Sequence, residues 1–114
     1  MQYALADYVT QAPEHYLGLA DFYQAKRDLF CGFLRDTRFA FEPTRGTYFQ
    51  LVDYRAYSND RDVDFVAALT QQHGVAAIPL SVFYADPPSA TLIRFCFCKH
   101  DATLRKAGEI LCGL

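Results

Sequence analysis

The sequence predicts an α+β domain, a small sheet with helices packed on one of its sides. Three observations lead there. Apolar residues recur at helical spacing in some stretches, while others are short runs rich in β-branched and aromatic residues. Pro, Gly and Asp clusters punctuate the changes between them. The resulting order is α-α-β-β-α-β-β-α, which suits a layered α+β arrangement. The 114 residues make one domain, 52% hydrophobic and 16% aromatic. The expected organisation is one compact unit, with residues 1–36 as a helical entry and residues 37–114 as the α+β body. A net charge of −2 gives no electrostatic footprint for nucleic acid. No apolar run approaches the roughly 20 residues that cross a bilayer, so no membrane partner is expected. With no signal-peptide pattern at the N-terminus, the cytoplasm is the expected compartment.

Taken in order, Met1 to about Ala12 reads as a helix through Tyr3, Leu5, Ala6, Tyr8 and Val9. It has no N-cap residue in front of it, as a truncated chain would show. Pro13 and Gly18 bracket a break. A second helix runs from Leu19 to Asp36, with Asp21 near its start and Phe22, Leu29, Phe30, Phe33 and Leu34 on its buried face. Phe39–Phe41 is a short strand, Pro43–Gly46 a turn and Thr47–Tyr54 a second strand. Asn59 or Asp60 is expected to cap a helix over Arg61–His73, whose early Asp62 suits the helix dipole. Gly74 fits the left-handed position that ends it. Val75–Ile78 is a short strand stopped by Pro79, and Asp86–Ser89 is a loop. Thr91–Cys98 is the longest strand signal, apolar on both faces and therefore central. Asp101 is expected to cap a last helix with the stripe Leu104, Ala107, Gly108 and Leu111.

Arg94 is the residue most suited to chemistry. In an extended strand Leu92, Arg94, Cys96 and Cys98 share one face, while Ile93, Phe95 and Phe97 point into the core. A guanidinium keeps its charge in a protein, so an arginine within a buried strand needs an anion. Either a carboxylate of the chain supplies it, or a ligand does. Cys96, Cys98 and His100 alternate, but neighbours along a strand diverge and no second Cys/His cluster completes a metal site, so none is expected. Cys31, Cys96, Cys98 and Cys112 read as free thiols in a reducing compartment. His15 and His73 read as structural. Tyr48 and Phe49 follow a Pro-x-x-Gly turn, where aromatic side chains either wall a pocket or pack as ordinary strand residues.

These same residues carry a resemblance. Gly46-Thr-Tyr-Phe49, Asp62-Val-Asp-Phe65, Gly74-Val-Ala-Ala-Ile-Pro79, Ser81-Val-Phe83 and Ile93-Arg-Phe-Cys-Phe97 closely resemble the C-terminal portion of pyridoxal-phosphate-dependent aminotransferases of class I/II. Pro13-Glu-His-Tyr-Leu17 and Phe22-Tyr-Gln-Ala-Lys-Arg-Asp28 resemble the bacterial methionine-preferring members. The branch indicated is that of methionine aminotransferase, kynurenine aminotransferase and glutamine transaminase K. The resemblance implies the small domain of a dimeric fold type I enzyme that exchanges an amino group between an amino acid and a 2-oxo acid. It implies that Arg94 clamps the substrate α-carboxylate and that Tyr48 walls the substrate pocket. It also implies a large cofactor domain and a Schiff-base lysine without counterparts among these residues. Lys26, Lys99 and Lys106 are the lysines of this chain, and none stands where an amine would be desolvated for imine formation. The 114 residues alone are therefore expected to bind no pyridoxal phosphate covalently and to be inactive, with no catalytic residue of their own. The alternative is an independent small α+β domain that binds amino acids or regulates.

Overall fold

The computed structural model describes residues 1–87 and 91–114. Helices α1 (Gln2–Gln11), α2 (Pro13–Leu17) and α3 (Leu19–Leu34) lead into strand β1 (Phe49–Asp53). Helix α4 (Asp62–His73), strand β2 (Ile78–Pro79), a 3-10 turn (Ser81–Phe83), strand β3 (Leu92–Cys96) and helix α5 (Asp101–Cys112) follow. The three strands form one antiparallel sheet in the order β1-β3-β2. The run with the strongest strand signal is thus the central one. Leu51 and Ile78 flank Arg94 in the register, and Val52 and Pro79 flank Ile93.

Alternation along the strands separates the two faces. Ile93 and Phe95 of β3, with Gln50 and Val52 of β1, are buried on one face. Ile93, Phe95 and Val52 meet Phe30 and Leu34 of α3, Leu69 of α4, and Leu104 and Leu111 of α5 in a single cluster. The Phe95 ring meets Phe30 and Phe39 edge-on, with centroids 5.6 and 6.0 Å away. Side chains of this size contribute about 1.5–3 kcal/mol each when fully buried. Leu92, Arg94 and Cys96 occupy the opposite, half-open face. The sheet therefore has helices on one side, and its other side keeps room for a site.

Several local expectations are corrected. Phe39–Phe41 is not a strand: Ala40 alone makes a bridge to Asp53. The break at Pro13–Gly18 is itself the short helix α2, because proline at a first helical position loses no hydrogen bond. Helix α3 ends at Leu34 rather than Asp36. The strand expected at Val75–Ile78 is Ile78–Pro79, and Pro79 belongs to it rather than stopping it. An edge strand tolerates a residue with no N–H to donate. Arg61 and His100 occupy the N-cap positions of α4 and α5 without side-chain capping bonds, so Asn59, Asp60 and Asp101 do not cap. Gly74 does end α4 in the left-handed region, at φ 71°. The loop expected at Asp86–Ser89 lies partly outside the described residues.

Candidate functional site

Arg94 stands at the middle of the central strand, on the face turned away from the helical core. Its guanidinium carbon lies 4.0 Å from the Phe49 ring centroid and 5.1 Å from that of Phe83. Phe49 belongs to β1 and Phe83 follows β2, so the rings come from opposite flanks of β3. Aromatic faces attract a cation through their quadrupole, more strongly where water is excluded. The ion pairs among the described residues are Lys26–Asp101, Arg27–Asp28 and Arg55–Asp53, and none includes Arg94. Its Nε is buried without a hydrogen-bond partner. Of the two anion sources open to the sequence, the described residues do not supply the internal one. A buried donor left unpaired costs about 1–3 kcal/mol, a cost that an incoming acceptor removes.

The neighbouring turn is fixed by a buried acid. Asp62, the first residue of α4, is 6% exposed. Its Oδ2 accepts the Ser81 backbone N–H at 2.7 Å. Its Oδ1 accepts the Ser81 hydroxyl at 2.7 Å and the Val63 N–H at 2.9 Å. Burial pushes this carboxyl up, but the hydrogen bonds from Ser81, Val63 and Leu80 outweigh it and hold the group below the usual carboxylate range. The acid is thus kept ionised by neutral donors, without a basic side chain.

Tyr48 lies elsewhere on the surface. It is 44% exposed and lines a groove of about 410 Å³ between α3 and the turn at residues 44–47, together with Tyr23, Gln24 and Arg27. Arg94 does not line that groove. The two residues are connected through Phe49, whose ring centroid is 4.4 Å from that of Tyr48. Thr47, just before Tyr48, has φ 62°, a conformation costly for a β-branched residue. The turn is tied down by Gln50, 1% exposed. Its Oε1 accepts the Thr44 N–H, and its Nε2 donates to the Glu42 and Leu51 carbonyls. Cys98 Sγ lies 3.2 Å from the Tyr23 hydroxyl, with which it shares a hydrogen bond.

Sequence reasoning singled out Arg94 and Tyr48, and offered Phe49 as either a pocket wall or ordinary strand packing, but it did not mark Phe83 or Asp62 as neighbours or supports of the site. The missing information was the strand order, which alone shows that Phe49 and Phe83 reach the same guanidinium.

The amine of Lys26 donates to Asp101 Oδ1 at 2.9 Å and to the Lys99 carbonyl at 2.8 Å. Lys99 and Lys106 are exposed. These three amines do not fit an imine-forming position, which calls for a desolvated, unpaired nitrogen.

Comparison with known proteins fits this geometry. The sequence profile of the family "Aminotransferase class I and II" matches residues 1–111. Methionine aminotransferase of Escherichia coli is 56% identical over 110 residues, which cover 96% of this chain and 28% of that protein. A probable N-succinyldiaminopimelate aminotransferase of Mycobacterium tuberculosis is 39% identical over 94 residues, covering 74% of this chain and 23% of that protein. A crystal structure of the Escherichia coli methionine aminotransferase superposes with a TM-score of 0.94 at 55% identity, over 99% of this chain and 30% of that one. The chain spans less than a third of the length of these relatives. The α+β fold expected from the resemblance is the fold of the matching part of a fold type I aminotransferase. The chain belongs to the class I and II aminotransferases.

Proposed function

We propose that this chain is the part of a pyridoxal-phosphate-dependent aminotransferase that holds the substrate carboxylate. The reaction is the exchange of an amino group between an amino acid, of methionine, glutamine or aromatic type, and a 2-oxo acid. One observation carries the reading. Arg94 presents a charged planar fork on the open sheet face, with a buried Nε and no acid of the described residues beside it. Such a fork matches a carboxylate through two parallel charge-assisted hydrogen bonds, each contributing about 1.5–3 kcal/mol. Holding the α-carboxylate at two points fixes how the substrate's Cα is presented to the reacting groups. Tyr48 walls the pocket for the substrate side chain. The likeness to a methionine aminotransferase supports a methionine-type substrate.

The lysines described above do not fit the cofactor's covalent link, so no step through the cofactor is assigned to these residues. Holding it falls to a large domain carried by the part of the relatives that this chain does not match. The whole enzyme is a cytoplasmic homodimer in this reading, supported by four free thiols and by apolar side chains left exposed on α1 and α2. No helix of the described residues is long and apolar enough to cross a membrane. An independent amino-acid-binding domain would use the same guanidinium, but the family match over residues 1–111 favours the enzyme.

The test is Arg94→Ala in the polypeptide that joins this chain to the cofactor-holding portion. The expected outcome is a fall of about 100-fold or more in kcat/KM, with cofactor loading unchanged by its absorbance. Arg94→Lys should be impaired as well, because a point charge does not reproduce the fork. Unchanged steady-state kinetics for Arg94→Ala would remove Arg94 from the site.

A further inference from the structure

The guanidinium that faces the ligand is held by something more remote than its own strand. Phe83 is 58% exposed, yet its ring sits 5.1 Å from the Arg94 guanidinium carbon. An exposed aromatic side chain on a three-residue turn would ordinarily be free to change rotamer. This turn is not free at its base. Its first residue, Ser81, gives both its backbone N–H and its hydroxyl to the buried carboxylate of Asp62, at 2.7 Å each. Asp62 in turn is anchored at the start of a twelve-residue helix, where the dipole favours its charge. A continuous path therefore runs from α4 through Asp62 and Ser81 to Phe83 and the face of Arg94.

We propose that Asp62, Ser81 and Phe83 form a positioning arm that sets the plane of the Arg94 guanidinium before the carboxylate arrives. The proposal deepens the carboxylate-holding reading and rests on it. Bidentate binding requires the carboxylate to lie in the guanidinium plane. Phe49 and Phe83, coming from opposite flanks of the strand, set their ring centroids 4.0 and 5.1 Å from the guanidinium carbon, within the range at which a ring attracts a cation. A long side chain ordered in advance loses less freedom when the ligand binds. The arm also gives a role to the buried carboxylate at the start of α4, which anchors the turn next to the site without pairing with its cation. Asp62 accepts hydrogen bonds from the Val63 N–H and from the N–H and hydroxyl of Ser81, all neutral groups, so the charge of Arg94 is left for the ligand. Phe83 is mostly solvent-exposed, so a merely structural role would make its replacement nearly silent.

The experiment uses the full 114-residue chain, labelled with nitrogen-15, and follows the Arg94 Nε–H resonance in the unmodified protein and in Phe83→Leu, Phe83→Tyr and Asp62→Asn. The unmodified chain should show an Nε–H shifted by ring currents. Phe83→Leu should displace it while backbone resonances of the core stay in place. Phe83→Tyr should restore it, and Asp62→Asn should displace it in the same direction. With L-methionine as the probe, the apparent Kd should rise about 3- to 10-fold in Phe83→Leu and in Asp62→Asn. If Asp62→Asn fails to fold, Ser81→Ala with Phe83→Leu carries the same comparison. An Nε–H that is the same in the unmodified chain and in Phe83→Leu overturns the arm, whatever L-methionine does. An Nε–H that moves with Phe83→Leu but not with L-methionine supports the arm and counts against the carboxylate reading, so the two failures are told apart.

Discussion

Two glycines in this chain have opposite meanings, and the contrast shows how single residues set the stability of the scaffold behind Arg94. Gly108 lies on the face of α5 that packs against α3, and it is buried. A Cβ added there would stand 2.3 Å from Cγ of Phe33 and 2.7 Å from its Cβ, closer than side chains tolerate. Gly32 lies inside α3, exposed, and a Cβ there meets nothing within 4 Å. Its glycine only gives up helix propensity, about 1 kcal/mol relative to alanine. Gly32→Ala should therefore stabilise the chain by about 1 kcal/mol. Gly108→Ala gains the same propensity but forces α5 off α3, and overpacking of this kind costs about 1–3 kcal/mol. It should come out neutral to destabilising by about 2 kcal/mol. Urea unfolding of the two variants beside the parent checks both signs. The sequence marked Gly108 as part of an apolar stripe, but only the approach of Phe33 separates the roles of the two glycines. Arg94 was legible for a simpler reason, since a permanent charge in an apolar strand is visible without coordinates. Gln50 was not, because a buried amide that ties its strand to the loop at Glu42 and Thr44 looks like any polar strand residue until its partners are known.

Helix α1, like the short α2, has no buried residue, and its Tyr3, Leu5 and Val9 are 90%, 60% and 46% exposed. Its ten residues fall short of the roughly 12–15 that an isolated helix needs in water, since nucleation is costly and only packing offsets it. Helices α3 and α5 pack on each other and on the sheet, through Phe30, Leu34, Leu104 and Leu111. Amide hydrogen exchange should therefore split the chain. The amides of α1 should exchange close to the rates of an unstructured peptide, and those of β3 and α5 should be protected up to the global stability. Protection of α1 equal to that of α5 in a monomeric sample would show that the helix holds itself, against this argument. Long periodic elements were legible for the same reason that they are stable. Helix α5 and strand β3 repeat an apolar period long enough to identify their buried faces. The misread elements were short. Ala40 makes one bridge, Pro13–Leu17 is barely a turn, and Ile78–Pro79 is two residues long. Such pieces are fixed by what they pack against, and local sequence does not carry that information.

At the scale of the whole molecule, the proposed carboxylate-holding role of Arg94 would be one half of what transamination needs. The other half is an amine fit to carry pyridoxal phosphate, and the three lysines do not fit that position. Lys26 has a side chain only 13% exposed, but its ammonium is shared between Asp101 and the Lys99 carbonyl and lies 4.8 Å from the Phe22 ring centroid. Each of these contacts ties the nitrogen to a partner of its own chain. Lys99 and Lys106 are exposed amines, and an imine made there would be open to water. The relatives run to more than three times the matched length, which leaves room for a separate cofactor-holding portion. Incubating the 114-residue chain with pyridoxal phosphate, reducing with borohydride and mapping the adducts by mass should therefore give substoichiometric labelling. Lys99 and Lys106 should be labelled more than Lys26, following exposure. Replacing Asp101 by asparagine should raise the share on Lys26, because its ammonium loses its carboxylate partner. A stable absorbance band at one cofactor per chain, traced to a single lysine, would mean that these residues hold the cofactor after all and that the division of labour argued above is wrong.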